Sequence, residues 1–274
     1  MRNDYSSVSG GISAANRRLL EAVHRESAGV VTVPDAARIW DVDKARASRL
    51  LRSLADRGWL TRPKRGLYVP VPLEAAESGQ WREDSWLIAV KLFPDGYIGG
   101  WSACEHWELT DQLFRTVLVY TTKRVNRRDI DLAGMDLRVK VIRRERLFGT
   151  RTVWRGRVPV QVSDPARTII DILDDPELGG GIRQVAEMVE EFIAGEHRDD
   201  ELLIEYGDRL GNRTVFKRLG YLLEARDVSA PALVAAARDR VSAGITTLDP
   251  SAPPGGRILT RWNLRLNVAI GGGA

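Results

Sequence analysis

"DKARASRLLRSLADRGWLTRPKRG", residues 43–66, sets five lysines and arginines within fifteen residues and adds three more around a Pro and a Gly. An α-helix turns about 100° per residue, so Ala47, Leu50, Leu51 and Leu54 fall in one sector that must face a core. Ala45, Ser48, Arg49 and Arg52 take the opposite side, with Lys44 and Arg46 on its flanks. Asp43 precedes the helix as its expected N-cap. After Gly58 the period changes: residues 59–62 and 67–71 read as two short strands around a Pro/Gly turn that carries Arg62, Lys64 and Arg65.

Working outward toward the N-terminus, Ser13 caps a helix whose apolar set is Ala15, Leu19, Leu20, Ala22 and Val23, ending near Gly29. "VVTVPDAARIWDV", residues 30–42, is a β-branched run followed by a helix that opens at Pro34 and packs through Ala36, Ala37, Ile39 and Trp40. Helix, helix, basic helix and basic hairpin is the arrangement of a winged helix-turn-helix, which grips double-stranded DNA with its last helix and its hairpin. Small residues early on the exposed face let that helix approach a groove closely, and arginines can reach phosphates or the O6 and N7 of guanine. An isolated basic helix is more often a solvated face; the company of the hairpin is what points to DNA. A winged helix used only for protein contacts would not need cations on both elements.

The chain has 274 residues and 43% apolar content, enough for two domains with real cores. The expected fold is mixed α+β: a winged helix-turn-helix, then a larger α/β domain with a small mixed sheet and a C-terminal helical part. Its expected boundaries are a mobile tail 1–11, the winged helix 12–72, a linker 73–80 and a second domain 81–274. The net charge of +4 hides an uneven spread, with 13 basic against 7 acidic residues in 1–70, 12 against 4 in 123–157, and 13 against 18 in 158–274. A single cysteine, Cys104, excludes an intramolecular disulfide and suits a reducing cytoplasm. No secretory leader or membrane-spanning run is legible, so no membrane partner is expected.

In the second domain, "REDSWLIAVKLF" reads as a helix, and "YIGGWSACEHWEL" as a short strand, a glycine pair and another helix. "TVLVYTTK", "LRVKVIRR", "RTVWRG" and "VPVQVS" alternate as half-buried strands and predict a sheet of three or four members. Asp164 and Pro165 start a helix through Leu173, the pattern is mostly helical from 181, and "RWNLRLNVAI" returns to alternation as a strand that could rejoin a sheet. Lys123, Arg124, Arg127 and Arg128, then Arg138, Lys140, Arg143, Arg144 and Arg146, form a second basic block. It is a solvated sheet face, a second phosphate-contacting surface or a docking patch for an acidic partner.

The chemistry of catalysis is poorly served. Cys104 and His106 stand two residues apart and point to different sides of a helix. There is no glycine-rich phosphate loop or paired-cysteine motif, and Asp164 and Asp171 lie two turns apart without a lysine beside them in a strand. Three histidines leave little material for a metal site. Neither an enzyme activity nor a cofactor or metal is expected.

Five stretches stand in fixed order: "RGLYVPVP" (65–72), which ends the winged helix, and then "YIGGWSACEHWELTDQ" (97–112), "VSDPARTIIDIL" (162–173), "FKRLGYLLE" (216–224) and "RWNLRLNV" (261–268). With the winged helix, the chain from about residue 28 to 268 resembles the antitoxins of bacterial AbiE systems, classed as type IV toxin–antitoxin modules. Glu108 stands where that pattern has Gly. The resemblance implies a nucleotidyltransferase-like toxin as partner, a winged helix that represses the module's own promoter, and a C-terminal domain that neutralises the toxin. By position it makes Lys44, Arg46, Ser48, Arg49 and Arg52 operator readers and Arg62, Lys64 and Arg65 wing contacts. The residues themselves leave two other readings open: a stand-alone winged-helix regulator with a sensing domain, and a DNA-targeted nuclease-like enzyme. On their own, most of the five stretches read as structure. Trp101 and Trp107 are core anchors, Arg167 can pair with Asp171 on a capped core helix, and Gly220 in mid-helix implies a tight helix crossing.

Overall fold

The computed structural model describes residues 13–27, 29–71, 84–131 and 136–271. The expected tail 1–11 and linker 73–80 lie outside the described residues, as do the side chains of Pro63 and Lys64. The architecture is mixed helix and strand, and the chain divides into two compact units. One holds residues 1–94 with 131–136 and 154–159; the other holds 95–130, 137–153 and 160–274.

In the first unit, helix α1 (Ala14–Glu26) starts where Ser13 Oγ accepts the Asn16 N–H at 3.2 Å. Leu20 and Val23 turn inward, whereas Ala15, expected beside them, is exposed because a first-turn residue lies beyond the edge of the core. Strand β1 (Val31–Thr32) leads into α2 (Val33–Ile39) through a reciprocal cap: Thr32 Oγ1 accepts from Asp35 N at 3.3 Å and Asp35 Oδ2 from Thr32 N at 3.0 Å. The helix ends with Val42 N–H reaching back to Ala37 O at 3.0 Å, a closure that forces Asp41 to φ +49°. That turn delivers the chain to α3 (Lys44–Asp56), capped by Asp43 accepting from Arg46 N at 2.8 Å. Strands β2 (Leu60–Lys64) and β3 (Leu67–Pro70) form the wing, and β1 adds to it in the antiparallel order β1-β3-β2. Ala47, Leu51 and Leu54 pack with Leu20, Val23, Val31, Ala36, Leu60 and Tyr68, and Trp40 donates its indole N–H to Leu19 O at 3.0 Å. Leu50 is only half-buried. Helix α4 (Ser85–Leu92) completes this unit, its Lys91 paired with Asp35 at 2.7 Å.

Next along the chain, and mostly in the second unit, come β4 (Tyr97–Ile98), α5 (Trp101–His106), β5 (Thr116–Thr121), β6 (Asp129–Asp131), β7 (Asp136–Val141), β8 (Thr150–Arg155) and β9 (Val158–Ser163). The sheet has six strands, in the order β6-β7-β5-β4-β9-β8, and is mixed, since β4 runs antiparallel to β5 and parallel to β9. Sequence alternation anticipated three or four members. The short strand read before the glycine pair, β4, joins this sheet as well, and β6, of three residues, is too short to show a period. Helices α6 (Pro165–Asp174), α7 (Ile182–Ala194), α8 (Asp200–Leu210), α9 (Thr214–Ala225) and α10 (Pro231–Arg238) follow. Then come β10 (Thr246–Thr247), β11 (Arg257–Leu259) and β12 (Leu264–Leu266). The terminal segment joins a sheet as its alternation suggests: β12 is the middle strand of a separate three-stranded sheet in the order β10-β12-β11.

Two buried arginines organise this unit. Arg167 Nε donates to Asp171 Oδ1 at 3.0 Å and Nη2 to Tyr97 Oη at 3.1 Å, while Tyr97 donates to Asp171 Oδ2 at 3.0 Å. The pair foreseen from the i, i+4 spacing is therefore a core interaction, both side chains being at most 3% exposed. Arg218 donates to the carbonyls of Leu173, Asp174, Thr247 and Leu248 at 2.7, 3.0, 3.2 and 2.9 Å, closing the C-terminal end of α6 that helix geometry leaves unpaired. Burial pushes its guanidinium down to about 10, against the attraction of Asp174 and Asp175. Gly220 needs its hydrogen for a different reason than a helix crossing. A Cβ there would stand 2.0 Å from the indole of Trp262, which is buried and donates Nε1–H to Glu224 at 2.7 Å.

Three substitutions separate these causes. Gly220→Ala improves helix propensity by about 1 kcal/mol, yet overpacking against Trp262 costs up to about 3 kcal/mol; the urea midpoint falls at constant m-value, and a raised midpoint refutes the packing account. Asp171→Ala leaves the Arg167 charge buried and uncompensated, a loss of about 3–5 kcal/mol. Asp200→Ala, breaking the half-exposed Arg198–Asp200 pair at 2.9 Å, costs about 0–1 kcal/mol. Equal losses in chemical denaturation contradict the assignment.

Candidate nucleic-acid interface

The core face of α3 fixes which residues look outward. Lys44, Ala45, Arg46, Arg49 and Arg52 are exposed and Ser48 is half-buried, as the helical wheel required. The N-terminal end is set by Asp43, whose carboxyl is held below the usual carboxylate range by the Arg46 N–H, aided by the Ala45 N–H and the Arg49 and Arg46 charges. Across from the helix, the turn at Gly66, with φ +83°, brings the wing back, and Arg62 and Arg65 are exposed on it. Lys64 belongs to the wing strand, with its side chain outside the described residues.

Helix and wing meet around a groove of about 360 Å³ lined by Val33, Ser48, Arg52, Arg62, Arg65, Gly66 and Tyr68. The structure thus brings Ser48 and Arg52 together with Arg62 and Arg65, while Lys44, Arg46 and Arg49 lie outside the lining of that groove. Arg52 folds back one turn, its Nε donating to Ser48 O at 3.3 Å and Nη2 to Ser48 Oγ at 3.0 Å. The Arg62 guanidinium sits 5.6 Å from the centre of the Tyr68 ring. Among the described residues none of these arginines is paired with a carboxylate. Tyr68 was read from the sequence only as part of a strand. Its place opposite Arg62 depends on a register irregularity between Thr61 and Lys64, which no residue spacing announces.

The second basic block divides in two. Arg138 is held by Asp129 at 2.7 Å and Glu177 at 2.8 Å, Lys140 by Asp175, and Arg146 by Asp174 at 3.4 Å. The bond to Asp129 leads the interactions that raise the Arg138 pKa. Lys123, Arg124, Arg127, Arg128, Arg143 and Arg144 are exposed, without an ion pair among the described residues. Ile142 N–H donates to Thr121 O at 2.9 Å, so the segments leaving β5 and β7, which carry most of these six cations, depart side by side.

The residues weighed for catalysis are engaged structurally. Cys104 is buried, which pushes its thiol well above the ordinary range. Asp164 caps α6 by accepting Arg167 N–H at 2.9 Å and accepts the Tyr206 hydroxyl at 2.9 Å; Asp171 is taken by Arg167 and Tyr97. Among the described residues no three His, Cys, Asp or Glu side chains cluster so as to hold a metal. Glu108, at the position where the resemblance calls for Gly, has φ +56°, so the turn keeps the left-handed backbone although the residue is not glycine. No described helix is long and apolar enough to cross a membrane.

No curated protein matches the chain. A model of the MarR family matches residues 10–66, which span α1, α2, α3 and the wing as far as its turn at Gly66. The family match, the element order and the exposed cations agree: the chain carries a MarR-type winged helix-turn-helix, a module that binds double-stranded DNA in transcription regulation.

Proposed function

We propose that this chain is the antitoxin and autorepressor of a toxin–antitoxin module. The winged helix occupies the module's own operator, and the second unit neutralises a nucleotidyltransferase-like toxin encoded beside it. The observation that carries the DNA half is the convergence of α3 and wing cations on one groove that no carboxylate lines. Support for the neutralising half is the ordered set of five stretches, which supply Trp101, the Arg167–Asp171 pair and the Gly220–Trp262 contact of the second unit. The reading invokes no enzyme activity and no cofactor, and it puts the protein in the cytoplasm with its operator.

Arg49→Ala combined with Arg52→Ala weakens binding to the protein's own promoter duplex by tenfold or more, about 1.4 kcal/mol, in an electrophoretic or anisotropy titration at moderate salt. Unchanged affinity removes the assignment of α3 as the DNA-contacting helix. For the second half, expression of the neighbouring nucleotidyltransferase-like gene alone arrests growth, and co-expression of this chain restores it. The Arg49/Arg52 double variant restores growth equally well, because neutralisation does not pass through the operator. Continued arrest in the presence of the folded wild-type chain sinks the antitoxin reading and leaves a regulator.

A further inference from the structure

The groove between α3 and the wing holds three guanidinium groups and no acidic side chain among its lining residues. Cations that converge without a counter-charge repel one another, so the arrangement suits an anionic ligand. Two of the three are already held in place. Arg52 spends Nε and Nη2 on Ser48 of the preceding turn and lies along the helix, whereas an arginine that reads a base edge must extend away from it. Its remaining donors stay available, and Ser48 Oγ, which accepts from Arg52, keeps its own proton to donate. Arg62 is braced on Tyr68, whose ring is anchored in the core at 1% exposure. The walls of the groove are the helix and the wing, the two elements with which such a domain holds a duplex.

We infer that this groove seats one backbone phosphate of bound duplex DNA, clamped by Arg52, Arg62 and Arg65 with the Ser48 hydroxyl. The inference rests on the DNA-binding reading above. Arg52 and Ser48 then belong to the affinity machinery and not to the base-reading set, and sequence discrimination falls to Lys44, Arg46 and Arg49. Bidentate guanidinium donors fit a phosphate closely, and the Ser48 bonds order Arg52 before the ligand arrives.

The test uses the full chain and two duplexes of equal length, its own promoter and a scrambled sequence, titrated over a range of KCl concentrations. Arg52→Gln and Arg62→Gln each weaken both duplexes by the same factor, about tenfold, and each lowers the salt slope by about one. Ser48→Ala weakens both duplexes by a smaller common factor. Arg49→Gln, by contrast, weakens the promoter duplex more than the scrambled one. Preferential loss of the promoter duplex in Arg52→Gln, with an unchanged slope, overturns the clamp and returns Arg52 to the base readers. A wild-type chain that binds neither duplex fails the DNA-binding reading itself, a different result. Calorimetric titration with inorganic phosphate shows no saturable binding at millimolar concentration; saturation that Arg52→Gln abolishes assigns the groove to a small phosphate ligand and overturns the duplex assignment.

Discussion

Burial of Ala47, Leu51 and Leu54 fixes the rotation of α3 about its own axis, and every cation of that helix takes its direction from this. Each buried leucine contributes about 1.5–3 kcal/mol, while two exposed like charges 4 Å apart in water repel by only about 1 kcal/mol. The apolar face therefore decides the orientation, and Lys44, Arg46, Arg49 and Arg52 follow it outward. The approach of the helix is set by the turn before it, where Asp41 adopts a left-handed backbone and Asp43 supplies the cap. The wing depends on the same core through Leu60 and Tyr68, so the side chains that brace the hydrophobic centre also place Arg62.

The second unit solves the opposite problem, placing charge inside. Arg167 meets a carboxylate and a phenol, and Arg218 meets four backbone carbonyls. Buried charge is tolerated where it is paired and hydrogen-bonded, although at Arg167 the Nη1 group is left without a partner among the described residues. Both arginines also join segments far apart in sequence: Tyr97 to α6 in one case, and the end of α6 to residues 247–248 in the other. They tie short strands and loops to the helical core where apolar burial alone would leave their polar backbone unpaired.

The exposed cations of the second unit follow a simpler rule. Where a basic residue on β7 faces a carboxylate across the fold, as Arg138 faces Glu177 and Lys140 faces Asp175, it is held in place. Where the chain leaves the sheet, the cations of 123–128 and 143–144 have no such neighbour among the described residues. One charge-rich segment therefore contains two populations, distinguished by topology and not by composition.

Periodicity, capping residues and turn chemistry were enough to read the winged helix, because its elements are consecutive and each signal is local: Ser13, Pro34, Asp43 and Gly66 mark their own boundaries. The same local signals located α6 and the longer strands of the second unit. They could not show β6, whose three residues carry no period and which exists because its neighbour pairs with it. Nor could they show that Gly220 faces an indole or that Arg218 is buried, since each rests on a contact between residues distant in the chain. The sequence by itself determined the winged helix and the outward face of α3, through local propensity and amphipathic spacing. Tertiary structure alone decided which arginines share a groove, because that depends on the strand register and on how the wing closes over the helix.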